Sequence, residues 1–517
     1  MNYKKQIALA LLCFSPTIQA NNVYSHTFFS AIPQYKLITN LTMNLLIDQA
    51  HNEGRALHKR TVQIALFGGK SNDSAGLRDY FLFGGKQNLL VLEAPTQEGG
   101  AGNLEPGSTQ DLIASDFNIQ TQFGSSASTI TMNPQQTYAG AALTFRMPVG
   151  KRCWASMELP IIHVKNNLNF TETFTSLPLA PALGGGVGFI NPLNNNASIP
   201  VATMIQAFQQ NGMLYGRIDG AQTTTQLAEI NLKAGYDAID RTDLYFSVYG
   251  ALSIPTGNKP KGEYMFEAIG GNNHHTGLAG GLYGQLQVHE FARCTAWFDW
   301  SMEAEYLIHN TQTRSFDLKN RPWSRFMQVY ENESQRLYQQ PVGTVVDQRS
   351  WGINSFTKKV KVKPGTNGTF NANINLVADE WSGCLGFNTF VRSGESISLA
   401  QPWQLGPQLA SLPLYGVGNI PGSTEPFRTI SVLPNASAQF GSGNVDSIGN
   451  YYVQESDLDL NSAAHPTVRA TTGYGTVGFY RKTTHPQYFE LGSSYEFGPQ
   501  NTVLKRWNVW TKVQITF

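Results

Sequence analysis

The residues that could do chemistry in this chain are easy to find and do not assemble into a reaction centre. His274 and His275 invite a metal, but neighbours on an extended chain point apart, and no carboxylate or thiol follows at ligand spacing. Gly68-Gly69-Lys70-Ser71 has the tail of a phosphate-binding loop, yet Ile64 stands where its first glycine belongs. Gly184 to Gly188 lacks the preceding strand and following helix of a dinucleotide site. His163 and His309 have no nucleophile motif beside them, and His163 shares the parity of apolar neighbours. Cys153, Cys294 and Cys384 each follow a tight turn and are too sparse for a disulfide framework, so they read as turn or membrane-facing residues. No catalytic residue, metal site or cofactor is expected, and the chain reads as a non-enzyme.

A second set of residues has a pattern. Arg146, Lys233, Arg392, Arg469, Arg481, Arg506 and Lys512, with Glu158, Glu229, Asp299, Glu303, Glu305, Glu490 and Glu496, occupy the polar parity of segments whose other parity is apolar. Charges beside an apolar medium must be hydrated or paired. The set therefore lines either a wet pore or a lumen filled by salt bridges. The pore is the reading adopted here, and its nearly balanced lining predicts weak ion selectivity.

The elements that would position these residues are strands. Ala296, Phe298, Trp300, Met302, Ala304, Tyr306 and Ile308 alternate with Trp297, Asp299, Ser301, Glu303 and Glu305. Similar two-residue periodicity recurs around Leu232, Val248, Leu282 and Ile374 in stretches of roughly ten residues, the length of a tilted membrane-crossing strand. Tight connections near 148–152, 238–242, 290–293, 379–383 and 483–487 alternate with long ones near 166–226, 255–276, 309–366 and 394–465. Strands are expected near 137–149, 152–164, 227–237, 243–254, 277–289, 293–308, 367–378, 382–393, 466–481, 487–498 and 502–517. Further segments at 61–70, 86–93 and 116–132 bring the expectation to about fourteen strands, within a range of ~12–16.

This is an all-β pattern, a closed antiparallel transmembrane β-barrel over 61–517 with short periplasmic turns and long extracellular loops. Trp154, Trp297, Trp381, Trp507 and Trp510 lie near strand ends and are expected to form interfacial girdles. Val201 to Tyr215 has near-helical apolar spacing and reads as a loop folded into the lumen or a helix across the mouth. Residues 21–60 include Tyr35, Leu37, Ile38, Leu41, Leu45 and Leu46, which suit a short helix in the barrel mouth or the periplasm.

The bulk composition agrees. Lysine and arginine total 37 against 36 acidic residues, which argues against nucleic acid as a partner. No apolar run after the start approaches the ~18 residues of a membrane helix. Met1 to Ala20 has Lys4 and Lys5, an apolar stretch from Ile7 to Phe14 and a small-residue site ending at Ala20, so it reads as a cleaved export signal.

The last strand carries a resemblance. Val503, Trp507, Val509, Val513, Ile515 and the terminal Phe517 alternate with polar residues, with Thr511 and Lys505 as departures. This resembles the C-terminal assembly signal of Gram-negative outer-membrane β-barrel proteins, in which the terminal aromatic and the alternate apolar residues before it are read by the barrel-assembly machinery. The resemblance is porin-like at the level of the class and points to no particular porin family. It implies an outer-membrane location, membrane lipids as surroundings, and passive diffusion of small solutes. The alternative is a structural or adhesive surface barrel that acts through its extracellular loops.

Overall fold

The computed structural model describes residues 25–41, 59–83, 86–92, 127–174, 201–319, 322–326, 350–404, 453–498 and 502–517, with short pieces between. The expected export signal, and Leu45 and Leu46, lie outside the described residues. Twelve staves form the barrel: β1 (Thr61–Ser71), β2 (Gln135–Val149), β3 (Cys153–Asn167), β4 (Glu229–Asp240), β5 (Leu244–Pro255), β6 (Gly277–Glu290), β7 (Thr295–Leu307), β8 (Thr366–Ala378), β9 (Trp381–Arg392), β10 (Val468–Arg481), β11 (Gln487–Phe497) and β12 (Arg506–Thr516). Each pairs antiparallel with the next, and β12 returns to β1 along a ladder from Thr61↔Thr516 to Ser71↔Arg506. Closure removes every edge, so backbone N–H and C=O groups find partners without water.

One hydrogen-bonded row runs Thr61, Arg146, Ser156, Lys233, Ala251, Ala279, Glu305, Asn367, Arg392. It starts at the tight-turn end of β1 and reaches the opposite, loop end of β9, as tilted and staggered strands require. The thirteenth strand of the sheet, Ala221–Leu227, continues β4 along β3 past a break at Ala228. There the Ala228 N–H donates to Pro160 O at 2.8 Å, and its carbonyl accepts from Gly257 N at 2.9 Å. Beyond this point the chain after β5 turns inward, an approach only glycine permits: a Cβ on Gly257 would lie 1.9 Å from Gly270 O.

The expectation of fourteen strands is corrected. The segment at 61–70 closes the barrel as β1, but Asn88–Leu92 and Ala127–Thr131 pair with each other. They form a small sheet with Leu112–Ile113 and Thr171–Phe174 outside the barrel. At five residues each they are too short to cross a bilayer, which takes roughly 9–11 residues. Alternation alone did not reveal that difference.

The outward parity is apolar and bare. Leu385 is 75% exposed, Leu491 62%, Ile374 51% and Leu278 50%. So continuous an aliphatic exterior is not tolerated in water. Of the expected girdle residues only Trp381 and Trp507 face outward; Trp154, Trp297 and Trp510 are buried on the inner parity. Trp154 donates from Nε1 to Ser247 Oγ at 3.0 Å and Trp510 to Glu490 Oε1 at 3.0 Å, so the indole N–H groups meet polar partners inside. Cys384 is likewise buried inside, while Cys153 is exposed at the start of β3.

At the loop end the long connections fold together into a cap with an apolar core of its own. Phe81, Phe83, Phe117, Phe208, Trp323 and Phe326 are fully buried there. Helix Met204–Ala207, from the segment expected to enter the lumen or cross the mouth, sits in this core with Met204 N held by Glu172 Oε2 at 2.8 Å. The ion pairs Arg325–Asp317 at 2.7 Å and Arg314–Glu395 at 3.4 Å are buried beside it.

Candidate functional site

The site with the most chemistry is the lumen, and it is occupied by the chain's own N-terminal segment. Residues 25–33 run extended from the cap into the barrel and continue as helix α1 (Gln34–Leu41). In the cap, Thr27 N donates to Ser462 O at 2.8 Å and Tyr80 Oη to Phe28 O at 2.6 Å. At the rim, Arg392 donates from Nη1 to Ser30 Oγ at 3.0 Å and from Nη2 to Ser30 O at 2.8 Å. Below it, Arg506 Nη2 donates to Ile32 O at 2.8 Å. Lower still, Lys36 Nζ reaches both oxygens of Glu305, at 2.8 and 2.7 Å, and stands 3.8 Å from Glu229. Wall residues from several strands thus grip the segment at successive depths.

Helix α1 fits because the wall is hollowed for it. Ala65 of β1 and Ala142 of β2 are register partners on the inner face, both buried, and they cluster with Tyr35, Leu37 and Ile38. Small side chains leave the volume that one helical face fills.

The inner wall itself is a chain of paired charges and amides. Lys233 meets Glu158 at 2.9 Å, Lys512 meets Glu490 at 2.9 Å, and Arg506 meets Glu496 at 3.1 Å. Glu305 also accepts from Asn367 Nδ2 at 2.9 Å, and Glu303 from Tyr249 Oη at 2.9 Å. Asp299 lies among amides instead of cations, accepting from Gln285 Nε2 at 2.8 Å and from Asn375 Nδ2. Arg146 covers the Trp154 ring at 4.3 Å. In a low-dielectric interior such partners offset the cost of desolvating each charge.

Twelve of the fourteen charges expected on the polar parity lie on this wall. Arg469 and Arg481 do not: both are exposed on the outer parity of β10. The ladder fixes the choice, because Val468 stands opposite inward Arg392. β10 has apolar residues on both parities, so its own sequence does not say which faces in. Both arginines lie at or next to a strand end, where a guanidinium reaches past an apolar belt.

Lys36, Ser30 and Phe29 did not emerge from the sequence, because no strand periodicity covers them. The signal available was one lysine amid Tyr35, Leu37 and Ile38. His274 and His275 do not converge on a common point: His274 Nδ1 bonds Gly257 O at 2.7 Å, and His275 Nδ1 bonds Ile308 O at 2.9 Å.

No family model and no curated protein matches the sequence. Among solved structures the chain is similar to an outer membrane channel from Pseudomonas putida F1, with a TM-score of 0.33, 8% identity, and coverage of 89% of this chain and 96% of that one. It is similar to the translocator domain of autotransporter NalP from Neisseria meningitidis, with a TM-score of 0.27, 9% identity and coverage of 96% and 99%. A Pseudomonas aeruginosa FadL homologue gives a TM-score of 0.25, 7% identity and coverage of 91% and 93%. These likenesses are too loose to carry residues or substrates across.

Proposed function

We propose that this chain is an outer-membrane channel for small solutes that rests closed, with its N-terminal segment as the plug and Lys36 as the latch. The observation that carries this reading is the plug's attachment. Beside the apolar seat of its helix on Ala65 and Ala142, it is held by hydrogen bonds and one ion cluster to a polar wall, contacts that water can replace when the plug moves. The apolar exterior supports a bilayer setting, with the capped end outside the cell and the tight turns in the periplasm. Trp507, Val509, Val513 and Phe517, exposed on the outer parity of the last strand and its end, and half-buried Ile515, suit the assembly signal read from the sequence. The inner wall is taken as a conduit and not a reaction centre. Once the plug loosens in its seat, solutes pass beside it by passive diffusion, in contrast to a permanently open porin.

Planar-bilayer recording tests this. Lys36→Gln leaves Glu305 and Glu229 buried without their cation, a change on the order of 3 kcal/mol against plug docking. The variant should open more often than the unaltered chain, with steps of larger conductance. If both are silent across all voltages, the channel reading fails. The folded cap favours the second reading, a surface barrel that binds partners through its loops, and a silent barrel would leave that one standing.

A further inference from the structure

Two clefts lie against the N-terminal segment. The upper one, in the cap, is walled by Thr27 to Phe29 on one side and by Tyr264, Arg314 and Arg325 on the other. The lower one, inside the barrel, is walled by Ala31 to Pro33, Tyr138, Ile162, Val164 and Arg506. Phe29 and Glu267 line both. Phe29 is 7% exposed and stands edge-on to Tyr80 at 5.1 Å, to Phe266 at 6.0 Å and to His465 at 5.3 Å. Its ring is the partition between the two spaces.

Each cleft also has a buried guanidinium with an unused donor. Arg325, 1% exposed, gives Nη1 to Asp317 at 2.7 Å, while its Nη2 has no partner among the described residues. Arg506, 3% exposed, uses both Nη atoms, while its Nε has no partner among them. A buried N–H left unpaired forfeits its hydration without return, and an anionic oxygen would recover that loss. The one carboxylate shared by the clefts opposes an anion only weakly, because the backbone N–H groups of Lys261 and Glu263 already donate to Glu267, at 3.0 and 3.1 Å. The remaining walls mix aromatic and aliphatic side chains such as Phe326, Ile162 and Val164 with uncharged polar ones such as Thr313, Gln136 and Asn166.

Building on the channel reading, we propose that the solute path follows the N-terminal segment through these two clefts, that the Phe29 ring is its gate, and that the permeant class is small organic anions with an apolar body. Arg325 and then Arg506 receive the anionic group, and the apolar walls receive the body. An open, water-filled bore would instead pass sugars and cations equally well.

The test uses full-length protein in liposomes and three probes that do not cross lipid unaided: benzenesulfonate, benzyltrimethylammonium and sucrose. Unaltered protein should pass benzenesulfonate fastest. Phe29→Ala should raise that flux several-fold while keeping the order of probes, and Phe29→Leu serves if alanine loosens the cap. The route is overturned if Phe29 variants leave flux unchanged while Lys36→Gln raises it. The substrate class is overturned if benzyltrimethylammonium or sucrose passes as fast as benzenesulfonate. If no variant passes any probe, the channel reading itself falls.

Discussion

A single inward or outward orientation decides what a charged residue on these strands is worth. Arg506 is buried, bonded to Gln136, Ile32 and Glu496, and carries the plug. Arg469, on the next strand but one, is exposed on the opposite face. Arg506→Gln should cost about 3–5 kcal/mol by removing one partner of a buried ion pair, whereas Arg469→Gln should stay within about 0.5 kcal/mol. Urea titration of the two variants in detergent, followed by tryptophan fluorescence, gives the comparison. Equal losses would mean that β10 is read on the wrong face. Three of the five tryptophans expected at the membrane interface are inside: an indole has an apolar body that suits either face, and the N–H groups of Trp154 and Trp510 find Ser247 and Glu490 there, while Trp297 Nε1 has no hydrogen-bond partner among the described residues.

Helix α1 depends on the wall more than on itself. At eight residues it is below the ~12–15 residues at which an isolated helix holds in water. Its stability therefore comes from docking on Ala65 and Ala142 and from Lys36. Ala142→Phe fills the hollow and should expel the helix, at about 1–3 kcal/mol of overpacking, while the barrel ladders on either side persist. Trypsin reports this directly: Lys36 should resist cleavage in the unaltered protein and become a cut site in the variant. Continued resistance would mean that the helix is not seated on that patch. The break at Ala228 is the complementary case, where the strand keeps β3 as its neighbour but loses β5, because the chain after β5 leaves at Gly257.

At the scale of the molecule, cap and barrel are held by different forces and should respond differently to acid. In the cap region, burial holds the imidazole of His275 down to about 4, from an ordinary 6.5. Burial, reinforced by the Arg392 charge, holds His465 well below its usual value. Both are neutral when folded, and the unfolded chain binds the extra protons below about 6.5. Their contribution is therefore complete above that pH and is lost as pH falls from there, toward about 4 for His275. For each histidine the loss is about 1.4 kcal/mol for every pH unit crossed while only the unfolded chain is protonated. Limited proteolysis should show the cap loosening across that window while the barrel keeps its compact, heat-sensitive migration on gels. A cap equally resistant at both ends of the window would contradict the burial of these histidines. The bilayer setting has its own check. With brominated lipids, quenching should fall mainly on outward Trp300, Trp381 and Trp507, and Trp381→Phe and Trp507→Phe should each reduce it. Equal quenching after either substitution would remove those residues from the interface.

The alternation of apolar and polar residues determined by itself that this chain makes a sheet with two unlike faces, where most strands start and stop, and that tight and long connections alternate. Those features are local, because side chains on a strand alternate faces whatever lies beyond it. The count of staves and the orientation of β10 needed closure of the ladder, since a strand with apolar residues on both parities takes its facing from its neighbours, whereas Trp154, Trp297 and Trp510 already share the parity of Glu158, Asp299 and Lys512. The plug and the cap were decided only in three dimensions. Lys36 meets Glu305 and Glu229 across long separations in sequence, and the cap core gathers residues from several long connections, so no window of sequence contains either contact.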